Sequence, residues 1–270
     1  MPFLSKTLVA LLSLLLFANT GVAASLTAQE LAGLVAQRPT NEGRVATMHF
    51  RLQNQSGSVR ERQAQMLSST RDDLERIAIF FTEPAMIEET AFLSFDHVDR
   101  DDESWLYLPA TDRVRRLPGS DRGDYFMGTD LTFGDVKDNF KFGLEDWVFK
   151  IGVEEVADGI TFQVLEGTPS TPEIAKAMGY GHFSSRIDTA TGFPVITEFS
   201  DVDMAPLKRF EIMEIGQVGE AKMAIRFTVE NLQTGHSTEI YYTDTRSVPD
   251  LDESLFDPNS LAYGIPDVRQ

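Results

Sequence analysis

The sequence predicts a mainly β protein, built on one wide, curling antiparallel sheet with a single strong helix at its start. Three observations carry this. Apolar residues alternate with period two in segment after segment between Met48 and Ser247. Turn residues punctuate those segments at short intervals, so consecutive strands read as hairpins in meander order. Residues 25–37 carry the best helix-start signal in the sequence. The pattern gives roughly ten strands. A sheet that wide curls, and its apolar concave face needs covering by the helix and by loops.

The first 24 residues stand apart. MPFLSK supplies a Lys, TLVALLSLLLF is a short apolar run, and Gly21-Val22-Ala23-Ala24 offers the small residues of a signal-peptidase site. We read residues 1–24 as a cleaved signal peptide, cut after Ala24, and residues 25–270 as one domain. No linker, repeat or low-complexity segment divides the remainder. There is no cysteine, so disulfides, thiol catalysis and zinc-thiolate sites are excluded. A net charge of −18 opposes general binding to nucleic acid or to anionic membrane surfaces.

Ser25–Gln37 opens with Thr27 as N-cap and Glu30 three residues later, a capping box. Leu26 and Leu31 form its staple, and Leu31, Leu34 and Val35 its apolar stripe; Arg38-Pro39 ends it. In MHFRLQ, Met48, Phe50 and Leu52 share one face, and after the Asn54–Gly57 turn a polar strand with Arg60, Arg62 and Gln63 returns. SSTRDDLER (68–76) is read as a short helix. RIAIFF (76–81) and TAFLSF (90–95) follow, then WLYL (105–108) and RVRRL (113–117) around the turn Pro109–Asp112. DVKDNF (135–140) and STPEIAKAM (170–178) are two more short helices, the second with Ser170, Pro172 and Glu173 in capping positions. The strands 147–156 and 160–167 meet at Asp158-Gly159, and 182–201 folds back at Ala190-Thr191-Gly192. Strands at 208–218, 221–232 and 237–247 complete the series.

WLYL and AFLSF are apolar on both faces, whereas an antiparallel strand usually keeps one polar face. Either both sides are covered or the aromatics line a cavity. Nineteen Phe against 6 Tyr and 2 Trp is a load of apolar rings with few hydroxyls, suited to a core or to a pocket for lipid-like ligands.

No catalytic chemistry stands out. His49, His97, His182 and His236 form no HxH, HxxxH or HExxH pair, so local metal spacing is absent. Asp99–Glu103 lacks the Gly and terminal Glu of a calcium loop and reads as a solvated turn. No GxSxG, GxGxxG or phosphate-binding loop occurs, and nothing selects a pair of facing carboxylates. No cofactor is expected. Arg113, Arg115 and Arg116 lack interleaved aromatics and are expected to pair with Asp112, Asp121, Asp124 or Asp130 at the sheet's rim. Arg122-Gly123-Asp124 is too short a motif to carry an adhesive reading.

Residues 91–135 taken together are more specific. Trp105, Tyr107 and Pro109 mark one strand, and Arg113-Val114-Arg115-Arg116 the next. A loop follows, ending in Phe126-Met127-Gly128, Asp130 and Asp135. This pattern resembles the signature of the LolA-like family of outer membrane lipoprotein-sorting proteins, with Thr129 and Leu131 in place of the usual Ser and Phe. Phe50-Arg51-Leu52 with Gly57 and Arg60, Asn231 to Thr238, and Asp252 to Leu261 resemble further family segments, so the likeness spans nearly the whole mature chain.

The resemblance implies a strongly curved, unclosed half-barrel. Its N-terminal and short helices would lid a concave apolar cavity that takes acyl chains. It further implies service to export systems of the RND superfamily. The expected function is a periplasmic, non-enzymatic carrier of a lipid or lipid-modified protein, in transient contact with membrane components. The alternatives are an accessory subunit of an RND-type transporter with no ligand of its own, or a periplasmic hydrolase. Phe50, Leu52, Phe81, Phe92, Phe95, Trp105 and Tyr107 are expected near the cavity. Pro109, Arg113, Arg115, Arg116, Phe126, Gly128, Asp130 and Asp135 are expected as the signature.

Overall fold

The computed structural model describes residues 26–72, 74–97, 100, 102–266 and 268. The expected signal peptide with its cleavage site, and Asp99 and Asp101 of the acidic turn, lie outside the described residues. Among the described residues no helix is long and apolar enough to cross a membrane.

Helix α1 (Ala28–Ala36) begins as its sequence dictates. The Thr27 amide donates to Glu30 Oε2 at 2.8 Å and the Glu30 amide to Thr27 Oγ1 at 3.2 Å. Six strands then run as hairpins: β1 (Gly43–Gln53), β2 (Val59–Arg71), β3 (Leu74–Glu83), β4 (Ala91–His97), β5 (Glu103–Leu108) and β6 (Arg113–Leu117). Residues 118–146 follow, with α2 (Phe133–Asp138) inside them. The second set is β7 (Trp147–Ala157), β8 (Ile160–Pro169), helix α3 (Pro172–Met178), β9 (His182–Asp188), β10 (Pro194–Ser200), β11 (Pro206–Val218), β12 (Ala221–Asn231) and β13 (His236–Ser247).

All thirteen strands form one sheet in the order β6-β5-β4-β3-β2-β1-β13-β12-β11-β10-β9-β8-β7, each pair antiparallel. The period-two segments are all present, and they add up to more than the ten expected. The meander is broken at one place. β1 pairs with β13 at the sheet's centre, so β6 and β7 become its two edges. The sheet is unclosed, and residues 118–146 must travel from one edge to the other. Ile77 of β3 and Trp147 of β7 nevertheless line one cavity, which only a strongly curled sheet permits.

One expectation fails outright. Residues 68–76 are not a helix but the end of β2, a turn and the start of β3. Asp72 takes the left-handed conformation at φ 52°, and Ser69 pairs with Arg76 across the hairpin. Ser, Thr and Asp resemble a helix cap in isolation. Here both faces of β2 are occupied, because Met66 and Leu67 are each fully buried on opposite sides, and tertiary packing overrides the local signal.

Both sides of β3–β5 are covered, which explains the doubly apolar strands. Ile79, Phe81, Phe92 and Leu106 face the concave side with Phe126 and Leu131 of the crossing segment. Phe80, Leu93, Trp105 and Tyr107 face the other side beneath Leu251, Phe256 and Leu261. Helix α1 packs elsewhere, with Leu31 and Val35 among Trp147, Leu165 and Phe183 at the β7–β9 end. The main cover of the concave face is therefore the 118–146 crossing, not the N-terminal helix.

Candidate functional site

Concave-face residues and the crossing segment enclose a cavity of about 80 Å³. Its wall is mostly apolar and includes Met48, Phe50, Met66, Phe199, Phe210 and Phe227 from the sheet, with Val136 and Phe140 from the crossing. A space of that size admits a few water-sized spheres, at ~10–15 Å³ each. An acyl chain would need the crossing segment to withdraw.

That segment is held as a plug by one aromatic stud and several polar latches. Phe126 is fully buried, its ring centroid 5.9 Å from Phe81, 5.4 Å from Phe92 and 5.5 Å from Phe133. The turn that aims it inward needs left-handed backbone at Met127 (φ 48°) and Gly128 (φ 71°). Glycine supplies the second of these without strain. Arg62 of β2 donates to the Met127 carbonyl. Thr129 Oγ1 donates back to the Phe126 carbonyl at 2.7 Å and closes the turn.

Asp130 and Asp135 anchor the plug from inside. Thr238 Oγ1 donates to Asp130 Oδ2 at 2.7 Å, and His236 Nδ1 lies 2.6 Å from the same oxygen. Lys208 of β11, wholly excluded from solvent, donates to the Asp130 carbonyl at 2.9 Å and to Asp135 Oδ2 at 3.1 Å. Asp135 also caps α2, accepting from the Thr132 amide at 2.7 Å, and accepts from the Tyr180 hydroxyl at 2.7 Å. Burial pushes the Tyr180 phenol well up, so it stays a donor. Lys208 Nζ sits 5.1 Å from the ring centroids of both Tyr125 and Tyr180, adding cation–π contact to a buried charge.

Farther along the crossing, Arg38 leaves α1 and reaches the carbonyls of Phe140 (2.9 Å) and Asn139 (3.2 Å). Both of those residues are left-handed, at φ 62° and 46°. Burial lowers the Arg38 guanidinium to about 10. Lys137 of α2 binds Asp102 at 2.6 Å and Asp138 at 2.8 Å, with Asp96 at 3.9 Å. Burial alone would lower this ammonium, but Asp138, Asp96 and Asp102 together push it up.

Of the residues expected at the cavity, Phe50 lines it. Leu52, Phe81 and Phe92 belong to the same concave core, the last two packed on the plug's Phe126. Phe95, Trp105 and Tyr107 point to the opposite face, under the C-terminal segment. Strand parity explains the division. Residues 92 and 106 share the concave parity, and residues 95, 105 and 107 the convex one, in the β4–β5 register.

Within the signature, Phe126, Gly128, Asp130 and Asp135 gather in the plug, while Pro109 starts the β5–β6 turn. The expected Arg–Asp pairing at the rim is corrected. Among the described residues Arg113 and Arg115 form no ion pair, and Arg116 bridges Glu103 at 2.9 Å on the surface. The aspartates face Lys208, His236 and Thr238, because they lie on a segment that turns inward, away from edge strand β6. Arg122-Gly123-Asp124 is no loop tip. Arg122 binds Asp146 at 2.9 Å, and a Cβ on Gly123 would lie 2.8 Å from the Ala177 carbonyl.

Sequence reasoning missed Lys208, Tyr180, Arg38 and Arg62. Lys208 was readable. It shares parity with inward Phe210 on β11, and a charge at an inward position demands a buried partner. Among the described residues no group of three or more His, Asp or Glu is placed to hold a metal.

A family model described as "-like: Uncharacterized protein" matches residues 73–263. No curated protein matches the sequence. A solved domain from Vibrio parahaemolyticus, named for outer membrane lipoprotein sorting, is similar at 29% identity and TM-score 0.78, covering 87% of this chain and 97% of its own. A DUF1329 family protein from Desulfovibrio piger is similar at 23% identity and TM-score 0.78, with 87% and 97% covered. A LolA superfamily protein from Nitrosomonas europaea is similar at 19% identity and TM-score 0.66, with 86% and 98% covered. The last two likenesses concern the fold.

Proposed function

The chain belongs to the LolA-like family, and from that premise we propose that it is a periplasmic, non-enzymatic carrier that shelters the acyl part of a lipid or lipid-modified protein. One observation carries the reading: the apolar concave face holds a cavity whose cover is a single chain segment, pinned by discrete latches. Withdrawal of Phe126 and Leu131 would expose Phe81, Phe92 and Phe50 as a continuous apolar trough. Each CH₂ sheltered there contributes about 0.8 kcal/mol, and that gain summed along the chain is what offsets the loss of the plug's contacts. The similar Vibrio domain, named for lipoprotein sorting, supports a carrier role. Delivery to or from an RND-type exporter rests on the family resemblance alone.

The test is direct. The protein is purified from periplasm and its organic extract analysed by mass spectrometry, alongside titration with a hydrophobic fluorophore. Co-purifying lipid displaced by the fluorophore is expected. Repeated lipid-free preparations that also fail to bind the fluorophore would remove the carrier reading.

A further inference from the structure

The concave face is not uniformly apolar. Along β1 the inward positions run Arg44, Ala46, Met48, Phe50 and Leu52, from charged to greasy. Across the neighbouring strands the Arg44 end is polar as well, with Ser68 and Thr70 on β2 and Ser94 on β4. These residues line a second, smaller cavity of about 30 Å³. It shares Ile77, Lys137 and Asn139 with the apolar cavity, so the two spaces are neighbours on one surface.

Arg44 is the unusual member. Its Nη1 donates to the Met223 sulfur at 3.5 Å and its Nη2 to the Met66 sulfur at 4.0 Å, both weak acceptors. Its buried Nε has no partner among the described residues. The two carboxyl groups that line the same cavity, Glu75 and Asp96, already face lysines. Glu75 is held by Lys141 at 2.8 Å, and Asp96 lies 3.9 Å from Lys137, which also holds Asp102 and Asp138. Burial lowers the Arg44 guanidinium, only partly offset by Tyr242 and Glu75. A buried guanidinium without a carboxylate is costly, and an arginine's planar fork is suited to bidentate oxyanions.

We infer that the ligand is an anionic amphiphile, with its phosphate or carboxylate head on Arg44 and its acyl chain running along β1 toward Phe50. Strand geometry sets the reach. At ~3.3 Å per residue, Arg44 to Met48 is about 13 Å and Arg44 to Phe50 about 20 Å. Those two spans bracket the depth of one leaflet, about 15 Å or half of the hydrocarbon core. The inference rests on the carrier reading and narrows it, favouring a free acidic lipid over the uncharged glyceryl anchor of an acylated protein.

The experiment measures three probes against the delipidated mature protein: oleoyl lysophosphatidate, the uncharged monooleoylglycerol with the same chain, and inorganic phosphate. The wild type is expected to bind the acidic lipid about tenfold more tightly than the neutral one, about 1.4 kcal/mol. Phosphate alone should compete weakly. Arg44→Met should abolish the preference while leaving monooleoylglycerol binding in place, and Arg44→Lys should retain part of it. Equal affinities in the wild type, or a preference that survives Arg44→Met, overturn the inference and leave the carrier reading standing. Phosphate competing as well as the lysolipid overturns it too, since the chain would then contribute nothing. If neither lipid binds, the carrier reading falls and the inference with it. Should Arg44→Met not fold, the wild-type ratio and Arg44→Lys decide the same question.

Discussion

The sheet region β3–β5 carries two covers, and they are attached by opposite means. On the convex side, Leu251, Phe256 and Leu261 press onto Phe80, Leu93 and Tyr107. The polar anchors there are Glu253, about a third exposed and bound to Arg71 at 3.2 Å and Arg76 at 2.6 Å, and the carbonyls of Leu251 and Pro249, which accept from Arg71. On the concave side the plug inserts Phe126 and Leu131, but its anchors are the solvent-excluded Lys208 and the nearly buried Asp130 and Asp135. Greasy packing tolerates small shifts. Buried charges repay their desolvation only when every partner is in place. The convex cover is thus a seal, whereas the concave cover has one latched arrangement and should leave it as a unit.

The sharpest way to break this contrast is to remove one ring from each cover. Phe126→Ala and Phe256→Ala should each cost about 3–5 kcal/mol, because both rings are buried and leave cavities, read from urea midpoints. Only Phe126→Ala should also change the affinity for a hydrophobic fluorophore, since only Phe126 backs onto the cavity side. Equal changes in dye binding from both variants would mean that the two covers do not differ.

A smaller effect tests the latch itself. Lys208→Met keeps the aliphatic volume but removes the lysine donor to the Asp130 carbonyl and one of the three donors to Asp135 Oδ2, which keeps the Thr132 amide and the Tyr180 hydroxyl. Loss of a buried partner costs about 1–3 kcal/mol. The variant should also show faster hydrogen exchange at residues 126–138 than at 251–261. Uniform acceleration across both segments would argue against a separately latched plug.

A third expectation concerns pH. Burial pushes the Asp96 carboxyl up to about 7, against the pull of Lys137. Its folded pKa lies above the unfolded value, so its stabilising contribution is complete below about pH 4. That contribution drains away as pH rises through about 7. Asp138, also pushed up by burial, has the same sign; Asp102, held low by Lys137 despite burial, opposes it. Asp96→Asn should therefore gain stability relative to wild type between pH 5 and 8. A difference curve that stays flat with pH would exclude Asp96 as a source of the dependence.

How much of this was legible follows from strand parity. Period two located the strands, and the Thr27–Glu30 pair located α1, because both signals act within a few residues. The order of the sheet was not legible. The β1–β13 pairing joins segments nearly two hundred positions apart and leaves no local mark. With that pairing unseen, the 118–146 crossing could not be recognised as the plug. The misread of 68–76 has the same origin, since Ser68, Ser69 and Thr70 look like a cap until both faces of β2 are known to be occupied. For the site, alternation in residues 48–53 grouped Phe50 with Met48 and Leu52 on one face. Phe95, Trp105 and Tyr107 required knowing which parity faces inward, a matter settled by partners far along the chain.

The smallest effect expected on stability belongs to the arginines that dominate the signature by eye. Arg113 and Arg115 are exposed on β6, which pairs only with β5. Arg116 contributes a bridge to Glu103 in which the arginine is largely exposed, worth about 0–1 kcal/mol. Arg113→Ala and Arg115→Ala should each shift stability by less than about 0.5 kcal/mol, and Arg116→Ala by no more than about 1 kcal/mol. Their placement on an open edge gives them another task, because charged side chains there deter a second strand from docking. The other edge, β7, is longer and bears exposed Val148, Val153 and Val156, so β6 is the better guarded of the two. Replacing Arg113, Arg115 and Arg116 together by Thr should leave the urea midpoint nearly unchanged but promote self-association in sedimentation runs. A triple variant that stays monomeric at high concentration would show that the edge needs no guard, and that β6 carries its charges for some other reason.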